Sequence, residues 1–573
     1  MLVELSGLPE TENAYDVVVI GAGGAGMTAA LCAAIEGASV LLVEHTQRVG
    51  GTTAWSGGTT WIPGTPHAAA VGATDGAEDA ARYLAGAIGD RSPEAMRRAF
   101  IAHGPAAVAH IEANSEVRYR AYPLHPDYLS ELPGSTVKGR ALEPLPFDGR
   151  KLGALFQLLR PPIPEFTVLS GMMVDRNDIF HLLRVTRSLA SLRHSLRLLS
   201  QHARDRLRHP RGTRLVMGNA LAARLLHSLA LRPNAGLAME TAVEGIDAEG
   251  GRIRALTLVQ RGARRRVALR GGLVLATGGF NRHPARRAAL LPGADIAWCP
   301  GAPGHTGRMH DLVEALGAHY GSGGASPAFW APVSMRRRAD GSTAVFPHFL
   351  MDRGKPGMIA VDGTGRRFVN EATSYHQFGL AMQQRPQAIP AYLIADADAL
   401  RKYGMGIVRP GGKGLAPFIA DGYLVQAGGI DELARKLGID AASLARTVAR
   451  YNAFASTGVD ADFQRGTTAY QRNLGDASYD GPNPCIGPLL RAPFYALRLY
   501  PGDIGASTGF ATDAMARVLD GEGHPIDGLY AVGNDMQSIM GGVYAGPGIT
   551  LGPGLVFAYL AGRDAARRAG GAG

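Results

Sequence analysis

Four closely spaced glycines near the start of the chain could bind an anion through their backbone N–H groups. Gly21, Gly23, Gly24 and Gly26 lie in GAGGAG, between the apolar stretch YDVVVI and the alanine-rich stretch MTAALCAAIEG. In a strand–loop–helix unit such glycines permit a tight turn, a close approach of a diphosphate to the backbone, and close packing of the helix on the strand. The dipole at the start of the helix also favours negative charge. Together with Ala25, these glycines are predicted to hold the diphosphate of a dinucleotide.

Glu44 lies where a dinucleotide would present its adenosine ribose. It ends the second apolar stretch, ASVLLVE, 18 residues after Gly26. A carboxylate at this point can accept hydrogen bonds from ribose hydroxyls, whereas a ribose 2′-phosphate would need an arginine. Glu44 is therefore predicted to bind the ribose of NAD or FAD.

A second glycine- and hydroxyl-rich loop, in RVGGTTAWSGGTTW, favours FAD over NAD. Such a loop can continue along a ribityl chain and an isoalloxazine ring, which NAD lacks. Two further turns, in ATGGF and VGND, follow apolar stretches and are expected to converge on the same crevice. Besides the residues named above, we assign to FAD the residues Gly50, Gly51, Thr52, Thr53, Ser56, Gly57, Gly58, Val243, Ala276, Thr277, Gly278, Gly533, Asn534, Asp535, Thr550 and Leu551.

The elements that must position these residues lie at both ends of the chain. Dinucleotide-type patterns occupy 1–297 and 494–573, whereas 298–493 is richer in proline and aromatic residues. We therefore predict an α/β protein whose Rossmann-like FAD-binding domain is interrupted by a smaller α+β catalytic domain at 298–493.

Composition excludes several classes of protein. Among 573 residues, the three cysteines are far apart, and the 17 histidines show no ligand spacing, so neither a disulfide framework nor a metal site is expected. No signal peptide and no run of about 18 apolar residues is evident, which predicts a cytoplasmic protein. The net charge of +10 is compatible with anionic partners, but no nucleic-acid partner is predicted.

The segment 183–214 is a basic amphipathic helix with nine arginines and one aspartate. Leucines at 189, 192, 196 and 199 recur at helical spacing. We expect a surface helix that packs these leucines on the core. Peripheral contact with anionic lipid and a contact between subunits are the alternatives.

Four motifs together resemble a known group of flavoproteins. YDVVVIGAGGAGMTAAL, VGGTTAWSGG, VLATGGF and GLYAVGN look like the superfamily of fumarate reductase and 3-ketosteroid dehydrogenase. The resemblance covers nearly the whole chain and is weakest at 150–235. It implies an FAD domain interrupted by a smaller catalytic domain, with the active site between them. Gly51 stands where covalently flavinylated relatives have a histidine, which implies non-covalent FAD.

The loop GGVYAGPG distinguishes between members of this group. Tyr544 stands where fumarate reductase-like enzymes have a histidine, and their asparagine–arginine pair is absent, which suits a neutral ketone better than a dianion. The loop resembles that of 3-ketosteroid Δ1-dehydrogenases, except that Ala545 replaces a proline. By this resemblance, the Tyr544 hydroxyl and the Gly548 N–H would bind the ketone oxygen.

Two further stretches resemble the same enzymes and supply the other candidate catalytic residues. DYLSELPG and RFVNEATSY are similar to the stretches that carry two active-site tyrosines. The resemblance implies that Tyr375 is the base and Tyr128 its hydrogen-bonding partner. It implies FAD-dependent formation of a C1–C2 double bond in a hydrophobic steroid ketone, with an unknown electron acceptor. A Δ4-dehydrogenase, a dehydrogenase of non-steroidal cyclic ketones, and a redox or membrane-associated subunit without an active pocket remain alternatives.

Overall fold

The computed structural model describes residues 1–9, 13–322, 324–350 and 352–570. Within these residues the strands are β1 (Asn13–Ile20), β2 (Val40–Val43), β3 (Thr60–Trp61), β4 (Tyr119–Ala121), β5 (Ala141–Pro144), β6 (Phe147–Asp148), β7 (Arg214–Leu215), β8 (Ala235–Ala238), β9 (Thr241–Glu249), β10 (Arg252–Gln260), β11 (Ala263–Leu275), β12 (Ala328–Arg337), β13 (Thr343–Pro347), β14 (Met358–Val361), β15 (Ala391–Ala395), β16 (Val425–Ala427), β17 (Phe494–Ala506), β18 (Arg517–Leu519) and β19 (Pro525–Ala531). The helices are α1 (Gly24–Ile35), α2 (Ala77–Ile88), α3 (Glu94–Asn114), α4 (Arg176–Leu182), α5 (Leu189–Arg206), α6 (Met217–Ala230), α7 (Pro284–Leu290), α8 (Arg308–Glu314), α9 (Tyr375–Gln383), α10 (Ala397–Tyr403), α11 (Ala416–Ala420), α12 (Ile430–Leu437), α13 (Ala441–Thr457), α14 (Ala469–Leu474) and α15 (Leu551–Gly570).

An eight-stranded sheet forms the base of the FAD-binding part. Its strands follow the order β18-β19-β10-β11-β1-β2-β8, and β9 pairs with β10. Strands β8, β2, β1, β11 and β19 run parallel to one another, so their carboxyl ends meet at one edge. The apolar residues of β1 and β2 are buried because helices cover the sheet. The predicted mixed α/β fold is confirmed.

Helix α15 returns the C-terminal segment to the first helix of the chain. It packs against α1 at Gly562, where an added Cβ would lie only 2.4 Å from the carbonyl oxygen of Ala29. Glycine is therefore needed for the two helices to approach this closely. This contact brings the start of α15 to the GAGGAG loop, where an added Cβ at Gly554 would lie 3.8 Å from the Cβ of Ala25.

A second sheet lies in the middle of the sequence. It has six strands in the order β13-β12-β17-β15-β14, with β16 paired to β17. Strand β17 belongs to this sheet, although the predicted boundary at 493/494 assigns it to the FAD-binding part. We propose that the boundary lies after Ala506, because the strand then stays with the partners that satisfy its backbone hydrogen bonds.

Helix α5 does not pack its leucine face on the core, so that prediction is wrong. Leu189 is 82% and Leu196 58% exposed, whereas Leu198 on the other side of the helix is buried. Polar contacts hold the inward face: His194 lies 2.9 Å from Asp178 of α4. Apolar periodicity indicates a helix, but these polar contacts decide which face is buried. None of the helices within the described residues is long and apolar enough to cross a membrane.

Candidate active site

One cavity opens at the carboxyl ends of the parallel strands and continues towards the second sheet. It brings together most of the residues that the sequence indicated. The predicted residues that line it are Gly21, Gly23, Gly24, Ala25, Glu44, Gly51, Thr52, Thr53, Ser56, Gly57, Gly58, Tyr128, Ala276, Thr277, Gly278, Tyr375, Gly533, Asn534, Tyr544, Gly548, Thr550 and Leu551.

Four predicted cofactor residues do not line this cavity: Gly26, Gly50, Val243 and Asp535. Gly26 permits the contact between helix and loop, because an added Cβ would lie 1.8 Å from the carbonyl oxygen of Gly21. Gly50 has a φ of +108°, which favours glycine. Val243 is buried in β9, opposite Leu258 of β10.

The glycines of GAGGAG differ in what surrounds them. At Gly21, with a φ of +105°, an added Cβ would lie 2.2 Å from the carbonyl oxygen of Ala276, so the turn requires glycine for protein packing. At Gly23 an added Cβ would meet no protein atom within 4 Å. The space beside Gly23 is therefore open to the cavity, as close approach of a diphosphate to the backbone requires. The donor set of this loop fits FAD.

Two carboxylates fix the turns around the cofactor cavity. Glu44 accepts hydrogen bonds from the N–H of Ala22 at 3.0 Å and of Thr46 at 2.9 Å, so it ties the diphosphate loop to the end of β2. Asp535 accepts from the N–H of Gly279 at 2.8 Å and from His310 Nε2 at 2.8 Å. Burial would raise the pKa of Asp535, but its hydrogen-bond donors hold it below the usual value. Asp535 thus joins the turns that follow β11 and β19.

Arg160 and His305 line the cavity, although no motif pointed to them. Arg160 is 7% exposed, and its side chain makes no hydrogen bond to the described residues. Its guanidinium lies 5.3 Å from the ring centroid of Trp55. His305 lies 3.2 Å from Thr52, and burial lowers its pKa to about 4. A buried guanidinium without a protein partner suits an anionic ligand such as a diphosphate.

Three tyrosines meet at the far end of the cavity. The Tyr128 hydroxyl donates to the Tyr375 hydroxyl at 3.3 Å, which is long for a hydrogen bond between hydroxyls. The ring of Tyr544 lies 4.9 Å from that of Tyr375 and is stacked on that of Tyr128 at 5.6 Å. All three rings are buried. The structure thus brings together three tyrosines that lie far apart in the sequence.

Different elements hold the three tyrosines. Tyr375 begins α9, where Ser374 caps the helix by accepting from the Gln377 N–H at 3.2 Å. The backbone N–H of Tyr128 donates to the carbonyl oxygen of Ala545 at 2.9 Å. Ala545 follows Tyr544, so this bond joins the loops that carry Tyr128 and Tyr544.

Asp127 anchors the Tyr128 loop from behind. It accepts from Trp61 Nε1 at 2.8 Å and from Arg140 at 2.8 Å. Burial raises the pKa of Asp127 to about 6, although Arg140 and Trp61 oppose the rise. The Tyr83 hydroxyl also donates to the carbonyl oxygen of Ala545. The position of Tyr128 therefore depends on a buried polar network as well as on its own ring.

Gly548 follows Tyr544 by four residues and lines the same cavity. Its φ is +92°, and an added Cβ would lie 2.3 Å from the carbonyl oxygen of Thr59. The Gly548 N–H makes no hydrogen bond within the described residues, so this donor is available to a ligand. A phenol and a backbone N–H on one cavity wall can together receive a carbonyl oxygen.

Burial shapes the acidity of this end of the cavity. It raises the pKa of Tyr128 and Tyr375 well above the ordinary value for tyrosine and also raises that of Tyr544. At Tyr128 the hydrogen bond with Tyr375 and the charge of Arg353 oppose the rise. Hydrogen bonds with Tyr128 and Tyr544 raise the pKa of Tyr375 further, so a phenolate at this end of the cavity needs a positive charge.

The remaining walls near the tyrosines are mostly apolar. Ile163, Pro347, Phe349 and Leu350 line the cavity, and the Phe349 ring lies 4.8 Å from that of Tyr375. His125 also faces the cavity, and burial, aided by the charge of Arg176, lowers its pKa to about 4, so it is neutral near pH 7. No group of side chains suited to a metal ion occurs among the described residues.

Comparisons with known proteins agree with this site. Residues 16–551 match the family described as FAD binding domain. A 4-oxocyclohex-2-ene-1-carboxylate 5-dehydrogenase of Sinomonas cyclohexanicum is 36% identical, over 97% of this chain and 94% of its own length. A 3-oxosteroid 1-dehydrogenase of Mycolicibacterium smegmatis is 35% identical, over 98% of both chains.

A solved structure is similar throughout. The 3-ketosteroid Δ1-dehydrogenase of Sterolibacterium denitrificans, solved in complex with 1,4-androstadiene-3,17-dione, superposes with a TM-score of 0.90. It is 33% identical, and the match covers 97% of this chain and all of that one. The chain therefore belongs to the FAD-binding flavoprotein oxidoreductases, in the family that includes the 3-oxosteroid 1-dehydrogenases.

Proposed function

We propose that this protein is an FAD-dependent 3-ketosteroid dehydrogenase that introduces a C1–C2 double bond. The observation that carries the proposal is the meeting of Tyr128, Tyr375 and Tyr544 beside the unused N–H of Gly548. These residues supply what removal of hydrogen beside a ketone needs, namely donors for the carbonyl oxygen and a base for the α-proton.

The ketone oxygen would bind between the Tyr544 hydroxyl and the Gly548 N–H. As the α-proton leaves, negative charge grows on that oxygen, and two preorganised donors stabilise it. Their contribution in other enzymes is about 2.7–4 kcal/mol per donor. The donors would also fix the orientation of the ring against the cofactor.

Tyr375 would remove the proton and Tyr128 would stabilise the resulting charge. An unperturbed tyrosine has a pKa of about 10, and burial alone raises it further. The Tyr128 hydroxyl, 3.3 Å from that of Tyr375, can share the negative charge through a hydrogen bond. The pair then acts as one base rather than as two independent phenols.

FAD would occupy the rest of the cavity. The diphosphate would contact Gly23, Gly24 and Arg160, and Glu44 would bind the ribose. Bound flavin would accept the hydride from the β-carbon. We propose that binding is non-covalent, because Gly51 has no side chain that could form the bond.

Relatives leave two substrate classes open. The proteins 36% and 35% identical to this chain act on a 4-oxocyclohexene carboxylate and on 3-oxosteroids, respectively. Apolar walls at Pro347, Phe349 and Leu350, and the neutral His125, favour a large uncharged ketone over a small carboxylate. A 4-oxocyclohex-2-ene-1-carboxylate is the second candidate, on the sequence identity alone.

A substrate panel tests the proposal. Purified protein is incubated with an artificial electron acceptor and one of three ketones, and products are identified by mass spectrometry and NMR. The ketones are androst-4-ene-3,17-dione, 5α-androstane-3,17-dione and 4-oxocyclohex-2-ene-1-carboxylate. We expect the 1,4-diene-3-one from androst-4-ene-3,17-dione. No turnover of any 3-ketosteroid would overturn the steroid assignment, and a Δ4 product from 5α-androstane-3,17-dione would change its regiochemistry. Unchanged turnover in Tyr544→Phe would favour a flavoprotein whose pocket does not bind the ketone as described.

We also propose that α4 and α5 contact an anionic lipid surface, which would give an apolar substrate a short path to the enzyme. Exposed Leu183, Leu189 and Leu196 lie beside the arginines of the segment 183–214. Apolar side chains flanked by arginines are complementary to anionic membranes.

Vesicle sedimentation tests this surface. We expect binding to vesicles of phosphatidylcholine with phosphatidylglycerol, weakened by salt and lost in the double variant Leu189→Glu/Leu196→Glu. Leu231→Glu, at a leucine that is 63% exposed elsewhere, is the matched control. Wild-type protein that stays in the supernatant would overturn the proposal. Dissociation of an oligomer by the double variant, without vesicle binding, would show a subunit contact instead.

A further inference from the structure

Arg353 is a fully buried cation without a carboxylate partner among the described residues. It is 0% exposed and appears in no ion pair within 4.0 Å. Its side chain donates to the carbonyl oxygens of His348 and Phe349 at 3.0 Å each and of Glu371 at 2.7 Å. A buried charge is costly unless something compensates it, and carbonyl dipoles do so only in part. Such a charge is a sign of function as well as of packing.

The carbonyl contacts of Arg353 connect both segments that surround the proposed base. One segment carries Phe349, whose ring packs against Tyr375. The other ends at Thr373, which accepts from Arg353 at 2.5 Å and lies two residues before Tyr375. The side chain thus fixes the start of α9 relative to the cavity wall.

Tyr470 packs against the tyrosine pair. Its ring is 4.5 Å from that of Tyr128, and its hydroxyl is buried. Burial raises the pKa of Tyr470 to about 12, and the Arg353 guanidinium opposes this rise. The same guanidinium acts on the pKa of Tyr128. The charge of Arg353 therefore favours the ionised form of both phenols.

The other ionisable groups around the tyrosine pair do not replace this charge. His376, next to Tyr375, is neutral near pH 7, because burial lowers its pKa to about 4. Tyr544 is itself a phenol with a raised pKa. Asp352 is the nearest acid to Arg353, but its carboxylate accepts from His348 at 2.6 Å. Among these groups only Arg353 brings a permanent positive charge.

We propose that Arg353 is a positioning residue for the tyrosine base. Through Tyr470 it stabilises the phenolate charge that Tyr375 and Tyr128 share. Its hydrogen bonds to carbonyl oxygens also hold the segment before Tyr375. Arg353 does not line the cavity. The α-proton would still pass to the Tyr375 oxygen. The inference rests on the proposed function.

The pH dependence of turnover separates this role from a merely structural one. Arg353→Met removes the charge, Arg353→Lys keeps it, and Tyr470→Phe removes the hydroxyl on which that charge acts. Tyr451→Phe is the matched control. It removes a buried hydroxyl that has no hydrogen-bond partner among the described residues, beside Arg367 and Arg465 and outside the cavity. Each variant is measured as holoenzyme with its ketone substrate from pH 6 to 10.

We expect Arg353→Met to shift the acidic limb of kcat upwards by about one pH unit, a roughly tenfold loss at neutral pH that narrows towards pH 10. Arg353→Lys should shift less, Tyr470→Phe by about half a unit, and Tyr451→Phe not at all. Equal rate loss at every pH, with the limb in place, would overturn the inference. If Arg353→Met does not fold, an unshifted limb in Tyr470→Phe would overturn it alone. Wild-type protein inactive on every ketone would instead refute the proposed function.

Discussion

We expect Gly548→Ala to lower kcat by about 10²–10³-fold, because the added methyl group displaces a backbone N–H that would stabilise the ketone oxygen. The Cβ would lie 2.3 Å from the carbonyl oxygen and 2.8 Å from the nitrogen at the Thr59–Thr60 peptide. Both are backbone atoms, so no side-chain rotation relieves the contact. The loop or β3 must move by about 1 Å, a shift that can cost about 10² in rate.

Backbone strain at position 548 is a second effect of the Gly548→Ala substitution. Gly548 has a φ of +92°, and a residue with a side chain pays about 1–3 kcal/mol for such a conformation. The loss of one donor to the developing oxyanion is worth about 2.7–4 kcal/mol in the transition state. The first effect lowers the free energy of unfolding, whereas the second lowers kcat.

Steady-state kinetics with a 3-ketosteroid, thermal unfolding and the flavin spectrum separate these effects. Gly438→Ala is the matched control, because Gly438 has a φ of +73° but no atom within 4 Å of an added Cβ. It should lower the unfolding temperature and leave kcat unchanged. If Gly548→Ala retains kcat within about threefold of wild type, the Gly548 N–H does not bind the oxyanion and the reasoning fails.

Four further changes have defined outcomes. Tyr375→Phe should lower kcat by about 10²–10⁴-fold and retain the flavin spectrum, because it removes only the base; near-normal turnover would assign the base elsewhere. Arg160→Met should weaken FAD binding to apoprotein by about tenfold or more in a fluorescence titration, and an unchanged Kd would show that the guanidinium does not bind the diphosphate. Ala545→Pro should retain or raise the unfolding temperature, because the Ala545 N–H donates to no described residue; a fall of many degrees would indicate an incompatible φ. Acidification from pH 7 to 5 should lower the free energy of unfolding by about 2 kcal/mol for each buried histidine whose folded pKa is about 4, because the unfolded chain binds more protons there. The histidines are His125, His305 and His376. Asp127 has a pKa of about 6 and offsets part of this loss, because the folded state binds its proton more tightly. Urea midpoints that rise on acidification would contradict the expected loss of stability.

The sequence alone was sufficient wherever a function depends on the backbone of a few consecutive residues. Gly21 and Gly23 could be recognised because a strand, a tight turn and a helix start within one short segment. The α/β fold followed from similar local signals, since apolar stretches and their turns are encoded by neighbouring residues. Tyr128, Tyr375 and Tyr544 were indicated only by resemblance, because an isolated tyrosine carries no signal of its role.

The tertiary structure decided what depends on residues far apart in the chain. Arg160 and Arg353 are ordinary arginines in the sequence, and only folding shows that each is buried with no carboxylate partner among the described residues. Leucine spacing in α5 predicted a helix, but polar contacts with α4 turned those leucines to the surface. Burial, charge compensation and the pairing of β17 each depend on many residues that are distant in the sequence. Local sequence therefore determined where the cofactor turns lie, and long-range packing determined which polar groups line the cavity.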